Sequence, residues 1–246
     1  MPALTPATGV PASLAPAGDE WTRRRPGRVL WLGRTGYDEA LALQLELHAR
    51  RVAGEIPDTL LLLEHDSVYT SGRAADPAHF LTPPAALELQ GHAVRATHRG
   101  GDVTWHGPGQ VVCYAIIDLG DSRRDIHRYL RLLEEALIRV AASFGVAAHR
   151  EPSRTGAWCA GGKIAAIGIR VSRWVTQHGT AFNVAPDLSR FQAIVPCGLH
   201  GADVTSLLRE TGSAPSIEAA ALEHARAFAD VLALDLTPDS ELPHVG

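Results

Sequence analysis

The sequence predicts an α+β fold: a single domain with a central mixed or antiparallel sheet flanked by helices. Three observations carry this expectation. Several strand-like segments follow one another without intervening helices, which argues against the regular alternation of a doubly wound sheet. Two long segments show the 3.6-residue apolar period of amphipathic helices. The 246 residues, 46% of them hydrophobic, can bury a full core, and no long polar linker divides them.

Residues 1–25 read as a disordered Pro/Ala-rich tail, because MPALTPATGVPASLAPAGDE is poor in large apolar side chains. RVLWLGR (28–34) is the first strand. YDEALALQLELHARRVAG (37–54) is a helix: Leu41, Leu45 and Val52 share a face, Leu43 and Leu47 widen it, and Gly54 ends it. TLLLLEH (59–65) has the continuous apolar pattern of a buried strand. TPPAALELQG reads as a short helix with Thr82 as N-cap, Pro83 as first helical residue and Gly91 closing it. HAVRATH (92–98) and QVVCYAIIDL (110–119) are strand-like. DIHRYLRLLEEALIRVAASFG (125–145) is the clearest helix, its inner face formed by Leu130, Leu133, Leu137 and Val140 and its end marked by Gly145. Strands follow near 146–150 and at 163–171 and 176–184, and a last helix spans 216–234. The folded domain is thus expected over residues 26–240, with a C-terminal tail at 241–246.

Charge and cysteine content narrow the function classes. The net charge of −4 gives no global reason to expect nucleic-acid binding. An acidic partner would need a local patch such as RRRPGR (23–28) or RRDIHRYLR (123–131). Cys113, Cys159 and Cys197 are an odd, widely spaced set without a CxxC pair, which disfavours a zinc site or a disulfide framework. The chain shows neither a secretory leader nor an apolar run long enough to cross a membrane. A reducing cytoplasm is the expected compartment.

Three segments carry candidate chemistry. RGGDVTWHGPGQ (99–110) packs four glycines and a proline into twelve residues. This suits a backbone that closely approaches a ligand, although the spacing is neither a Walker A loop nor a dinucleotide turn. In IVPCGLHGADVTSL (194–207), Cys197 lies in a Pro-Gly turn outside any periodic pattern, where nearby backbone N–H groups could stabilise a thiolate or an oxyanion. In GGKIAAIGIR (161–170), Lys163 is the single lysine among 23 basic residues. Strand alternation would place Lys163 on the drier side with Ala165, Ile167, Ile169 and Val171. There an amine can serve as a base near neutral pH, which an arginine cannot. A Cys197–Lys163 couple suits attack on an activated acyl group. Cys197 with His106 or His178, as in a peptidase dyad, is the competing arrangement.

Taken together, RGGDVTWHGPGQ, GGKIAAIGIR, HGTAFNV (178–184), DLSRF, IVPCG and VTSL resemble the octanoyltransferase family of lipoate biosynthesis, lipoyl(octanoyl) transferases of the biotin/lipoate protein ligase-like superfamily. The resemblance runs in order from about residue 28 to about residue 209. It implies the fold of the ligase catalytic domain and transfer of an octanoyl group from octanoyl-acyl carrier protein to a lysine of a lipoyl domain. The acceptors it implies are lipoyl domains of 2-oxoacid dehydrogenase complexes and the glycine cleavage H protein. By position, Cys197 would carry the acyl thioester and Lys163 would lower its pKa and relay protons. Arg99, Gly100, Gly101, Asp102, Val103, Thr104, Trp105 and His106 would line the acyl and substrate site, with Ala166, Ile167, Gly168, Gly179, Thr180 and Ala181. No cofactor or metal is implied, because the acyl group arrives already activated. An ATP-dependent lipoate or biotin ligase on the same fold is the alternative, and it gives no reason for Cys197. A non-enzymatic relative would need neither reactive residue.

Overall fold

The structure, a computed structural model, describes residues 19–120, 122–196 and 203–238. It is built on an eight-stranded mixed sheet with strands in the order β11-β1-β2-β6-β10-β9-β8-β7. These are β1 (Arg25–Thr35), β2 (Asp58–His65), β6 (Gln110–Ile116), β7 (His149–Glu151), β8 (Arg154–Cys159), β9 (Gly162–Ser172), β10 (Val175–Asn183) and β11 (Leu234–Pro238). β1 runs parallel to both β2 and β11, and the other pairings are antiparallel. A second sheet of three strands, β4-β3-β5, combines β3 (Val68–Ser71), β4 (Ala93–Ala96) and β5 (Val103–His106).

Period-two alternation divides the central strands between two faces. Leu60 and Leu62 of β2, with Val111, Cys113 and Ala115 of β6, join the main core under α3 (Ile126–Ser143) and α5 (Ile217–Val231). Leu61 and Leu63, with Val112, Tyr114 and Ile116, face the opposite way, where α1 (Tyr37–Val52) contributes Ala40 and Leu47. Burial on both faces explains why β2 reads as an unbroken leucine run rather than an alternating one. Tyr129, Leu133, Ala136, Leu137 and Val140 form the buried stripe of α3, while Leu130 lies at its margin.

Several boundaries differ from the sequence expectation. The expected tail ends too late: the chain is structured from Asp19, β1 begins at Arg25, and Trp21 is buried in the main core beneath the Arg128 guanidinium, 5.4 Å away. That indole, with the Asp19–Arg128 ion pair, ties the entry segment to α3. Residues 1–18 and the expected tail at 241–246 lie outside the described residues. The short helix α2 spans Pro84–Leu89 with Pro83 at its N-cap and no side-chain cap bond, so Thr82 does not cap it. The last helix ends at Val231, not 234, because Leu232 and Ala233 turn the chain, Ala233 with φ 53°, into β11. β3, β5, β8 and β11, and the short helix α4 (Leu207–Thr211), had no counterpart in the expectation.

Candidate active site

A cavity lies on the α1 side of the large sheet, bordered by the small sheet. Its floor is made of small residues: Ala166 and Gly168 of β9 beside Ala181 and Gly179 of β10, paired 166–181 and 168–179. On the next strand, Val112 and Tyr114 of β6 continue these two rows. Arg99, Gly101, Asp102, Thr104 and His106 line it from the glycine-rich segment, and Ile167 and Thr180 border it, although the Ile167 side chain packs on the opposite face. Eleven of the fourteen substrate-site residues named from sequence thus meet at one cavity. Gly100 sits at its edge, its N–H donating to the Ile169 carbonyl at 2.8 Å. Val103 packs in a separate apolar cluster with Tyr69 and Leu87, and Trp105 lines an adjoining cavity.

Glycines are required where the backbone is crowded. A Cβ on Gly168 would lie 3.2 Å from Arg99 Cδ, and one on Gly72 would fall 2.2 Å from the Gly101 carbonyl oxygen. The space so left holds the buried Arg99 guanidinium, which donates to the Thr70 carbonyl (2.6 Å), Thr70 Oγ1 (2.9 Å) and the Gly100 carbonyl (3.1 Å). Asp102 is fixed by the His79 imidazole and by the Val103 N–H at 2.7 Å.

Three histidines surround the far end. His65 donates through Nδ1 to the Thr35 carbonyl (3.0 Å) and accepts from the Tyr114 hydroxyl at Nε2 (2.7 Å). Burial pushes its pKa down to about 4 and pushes the Tyr114 phenol well above its usual value. His178 is held down to about 4 by burial and then by the positive charges of Arg99 and Arg170. His106, enclosed by the cavity wall although half-buried, is held down to about 3 by burial and then by His65 and Arg99. All three are therefore neutral at pH 7. His178 also has φ 58° within β10, and its N–H donates to Gln44 Oε1 of α1 at 2.6 Å. A non-glycine residue in that region is strained, and such strain concentrates at functional sites.

Lys163 lines the adjoining cavity, which shares Thr104, Ala166 and Ala181 with the first and adds Gln110, Asn183, Phe191 and Pro196. It does not share a face with Ala165, as simple alternation had predicted. The β8–β9 register pairs Trp158 with Lys163 but Ala157 with Ala165, leaving Ile164 as an extra residue. This β-bulge places Ile164 and Ala165 together in the main core, although Ala165 also borders the Lys163 cavity, and leaves Lys163 on one face with its pairing partner Trp158. Lys163 Nζ stands 5.4 Å from the Trp158 ring centroid, within cation–π range. Its side chain passes over Gly156, where a Cβ would come within 2.7 Å of Lys163 Cε. The Lys163 backbone is also engaged: its N–H donates to the Asp203 carbonyl (2.8 Å), and its carbonyl accepts from the Thr205 N–H (3.1 Å). Gly161 and Gly162 permit this approach, since a Cβ on Gly162 would fall 2.2 Å from the Asp203 oxygen. Asn183 Nδ2 donates to the Thr205 carbonyl at 2.9 Å and completes the clamp.

Cys197 lies outside the described residues, as do Gly198 to Ala202. Their flanks are described, and both are at Lys163: Pro196 lines its cavity and Asp203 bonds its backbone. The other two cysteines are buried, and burial raises both thiols, that of Cys159 to about 11. His106 and His178, the competing partners for a cysteine, line the first cavity and not the one at Lys163. Tyr37, Val112 and Tyr114 had no local signal in the sequence. They come from α1 and β6 and meet the others only through the topology.

The arginine run 123–131 is far from this chemistry in the fold. It starts α3, on the opposite face of the sheet, where Arg128 pairs with Asp19, Arg131 with Glu134 at 2.6 Å, and Arg124 covers Trp174. Among the described residues, no cluster of three or more His, Cys, Asp or Glu side chains is placed to hold a metal ion. No helix among them is long and apolar enough to cross a membrane.

Known proteins agree with this geometry at the levels of fold and sequence. A bi-partite lipoate protein ligase from Thermoplasma acidophilum superimposes with a TM-score of 0.67 at 16% identity, covering 87% of this chain and 86% of that one. A lipoate-protein ligase A bound with ATP superimposes with a TM-score of 0.68 at 18% identity, over 87% and 89%. At such identities the likeness is one of fold. In sequence, the octanoyltransferase of Geobacter metallireducens is 54% identical over 176 residues, 72% of this chain and 79% of that protein. The octanoyltransferase of Geobacter sulfurreducens is 48% identical over 212 residues, 86% and 87% of the two chains. Residues 36–229, which hold every element that lines the two cavities, match the lipoyl protein ligase A/B catalytic domain, and the chain belongs to that family.

Proposed function

We propose that this protein is an octanoyltransferase of protein lipoylation, with Cys197 as acyl carrier and Lys163 as its proton relay. The observation that carries the site assignment is the anchoring of both flanks of the 197–202 segment, Pro196 and Asp203, at Lys163. The relatives that are 54% and 48% identical over 176 and 212 aligned residues bear the octanoyltransferase name. The raised thiols of Cys113 and Cys159 make them poor nucleophiles by comparison.

In the first half-reaction the Cys197 sulfur attacks the carbonyl carbon of octanoyl-acyl carrier protein. A new C–S bond forms as the old one breaks, and the departing carrier thiolate receives the proton that Cys197 gave up, passed by the Lys163 amine. Exchange of one thioester for another is nearly neutral in energy, so an acyl-enzyme can accumulate. In the second half the amine of a lipoyl-domain lysine attacks the enzyme thioester. The C–N bond forms, the C–S bond breaks, and a proton from nitrogen returns to sulfur through Lys163. Amide formation makes this step downhill, and the thioester donor makes ATP unnecessary. Acceptors of this kind include lipoyl domains of 2-oxoacid dehydrogenase complexes and the glycine cleavage H protein. A reducing cytoplasm would keep the thiol free, and residues 26–240 would make up the catalytic domain. The octanoyl chain would lie along the floor of Ala166, Gly168, Gly179 and Ala181, under Arg99–His106.

Intact mass after mixing with octanoyl-carrier protein without ATP tests the reading. The expected result is one added octanoyl group that hydroxylamine removes, and Cys197→Ser should lose the labile adduct. Unchanged labelling of that variant would move the nucleophile elsewhere. Transfer that occurs only with ATP and free fatty acid would replace the transferase by a ligase.

A further inference from the structure

We infer that Tyr114, held by His65, is the gauge that sets acyl-chain length in this enzyme. The inference rests on the octanoyl-transfer reading and adds where the chain must stop.

The two cavities follow each other along the same strands. The Lys163 cavity contains Asn183 and Gln110, the shared region contains Ala181 and Ala166, and the first cavity continues to Gly179, Gly168 and Tyr114. Because alternate residues of a strand share a face, Asn183, Ala181 and Gly179 mark successive rows, and the distance from first to last is about 14 Å at roughly 3.4 Å per residue. An extended eight-carbon acyl chain with its sulfur spans roughly 10 Å, and van der Waals contact of about 3.5–4 Å between its methyl and a ring in the last row takes up the difference. Along this path the side chains on β9 and β10 shrink to alanine and glycine, leaving a trough wide enough for methylenes.

Rings close the far end. Tyr114 stands in the row of Gly168 and Gly179, and Tyr37 from the first turn of α1 and His178 also line that end. Tyr114 cannot swing away without losing the 2.7 Å bond to His65, and His65 is itself tied to the Thr35 carbonyl. Its ring lies 6.1 Å from that of His178, nearly perpendicular, and His178 is fixed through its backbone to Gln44. The row beyond, at Ile116, is solid core with α1. A longer chain therefore meets a ring braced from behind rather than a flexible side chain.

The test is a series of hexanoyl-, octanoyl-, decanoyl- and dodecanoyl-carrier proteins, with kcat/KM measured for transfer to a lipoyl domain. The natural enzyme should fall steeply beyond eight carbons, since one methylene too many in a closed pocket is worth about 10–200-fold. Tyr114→Ala should move the optimum to ten or twelve carbons, and Tyr114→Phe, which keeps the ring but loses the bond to His65, should soften the cut-off, decanoyl gaining on octanoyl without a shift of the optimum. Ala181→Val, in mid-trough, should penalise octanoyl more than hexanoyl by tenfold or more, and it reports even if Tyr114→Ala fails to fold. Unchanged length profiles in a folded Tyr114→Ala and in Ala181→Val would overturn the gauge. If the natural enzyme transfers no acyl group, the functional reading fails instead. Calorimetric binding of octanoate against dodecanoate to the natural protein and to Ala181→Val then still reads the length of the trough.

Discussion

At the scale of single residues, composition pointed to the chemistry and geometry redirected it. A lone lysine among arginines was legible as an exception, and the structure sets Lys163 at a cavity beside Trp158. Its facing was not legible, because the bulge at Ile164 depends on pairing with β8, a partner strand with no clear pattern of its own. Gly156 supplies a direct probe of that placement. An alanine there would meet the Ala165 carbonyl oxygen at 2.5 Å and Lys163 Cε at 2.7 Å, from a φ of 132°. Gly156→Ala is therefore expected to cost about 1–3 kcal/mol and to slow single-turnover acyl transfer at least tenfold. Gly145→Ala is the control: φ is 79°, but nothing lies within 4 Å of the added methyl. It should lower the melting temperature and leave transfer unchanged. Equal loss of transfer in both variants would show that strain alone, not displacement of Lys163, is responsible. Lys163→Arg should fold and transfer slowly in the same assay, since a guanidinium keeps the charge but cannot give up a proton at neutral pH. Near-normal turnover would remove Lys163 from the relay.

At the scale of elements, long periodic segments were readable and short ones were not. α3 lies at 126–143 within the predicted 125–145, because seven buried positions recur on one face and Asp125 caps its start. β3 is only four residues long, and β8, RTGAWC, has no apolar alternation at its exposed start. β11 follows α5 with neither Gly nor Pro between them, so the helical pattern reads on through Leu234, although the chain has already turned at Ala233. The split of helices between the two faces makes a prediction of its own. Asp125 accepts from the Arg128 N–H at 2.8 Å and Ser216 from the Ala219 N–H at 3.2 Å, both at N-termini on the face away from the cavities. Asp125→Ala and Ser216→Ala should each cost about 1 kcal/mol in denaturant unfolding while kcat/KM for octanoyl transfer stays within twofold. A large fall in kcat/KM would mean that the α3–α5 layer takes part in function, for instance as a docking face.

At the scale of the whole molecule, both faces of the sheet carry a fully buried neutral imidazole, and this sets the response to acid. His65 sits behind the cavity; His224 of α5 lies in the main core, 5.1 Å from the Phe182 ring. His224 Nδ1 donates to the Ala220 carbonyl at 2.8 Å, and its Nε2 has no hydrogen-bond partner among the described residues. Burial holds both pKa values down to about 4, from 6.5 in an open chain. Between those values the unfolded chain binds protons that the folded protein refuses, so stability is full above pH 6.5 and is lost as pH falls toward 4. His178 and His106, held down to about 4 and about 3, behave in the same way, and four such groups give a limiting slope of about 5.4 kcal/mol per pH unit. The carboxylates whose pKa values are lowered, Asp19, Asp38, Glu135 and Asp187, stabilise the fold above their ordinary values near 4 and lose that contribution only as pH falls below them. Unfolding free energies measured by denaturant between pH 7 and 4.5 should therefore drop steeply before the acids titrate. His224→Leu removes one of these protons without touching either cavity, and should reduce the slope by about 1.4 kcal/mol per pH unit while leaving octanoyl transfer at pH 7 in place. A slope unchanged by that substitution would mean that the His224 site opens to water and admits the proton before the fold is lost.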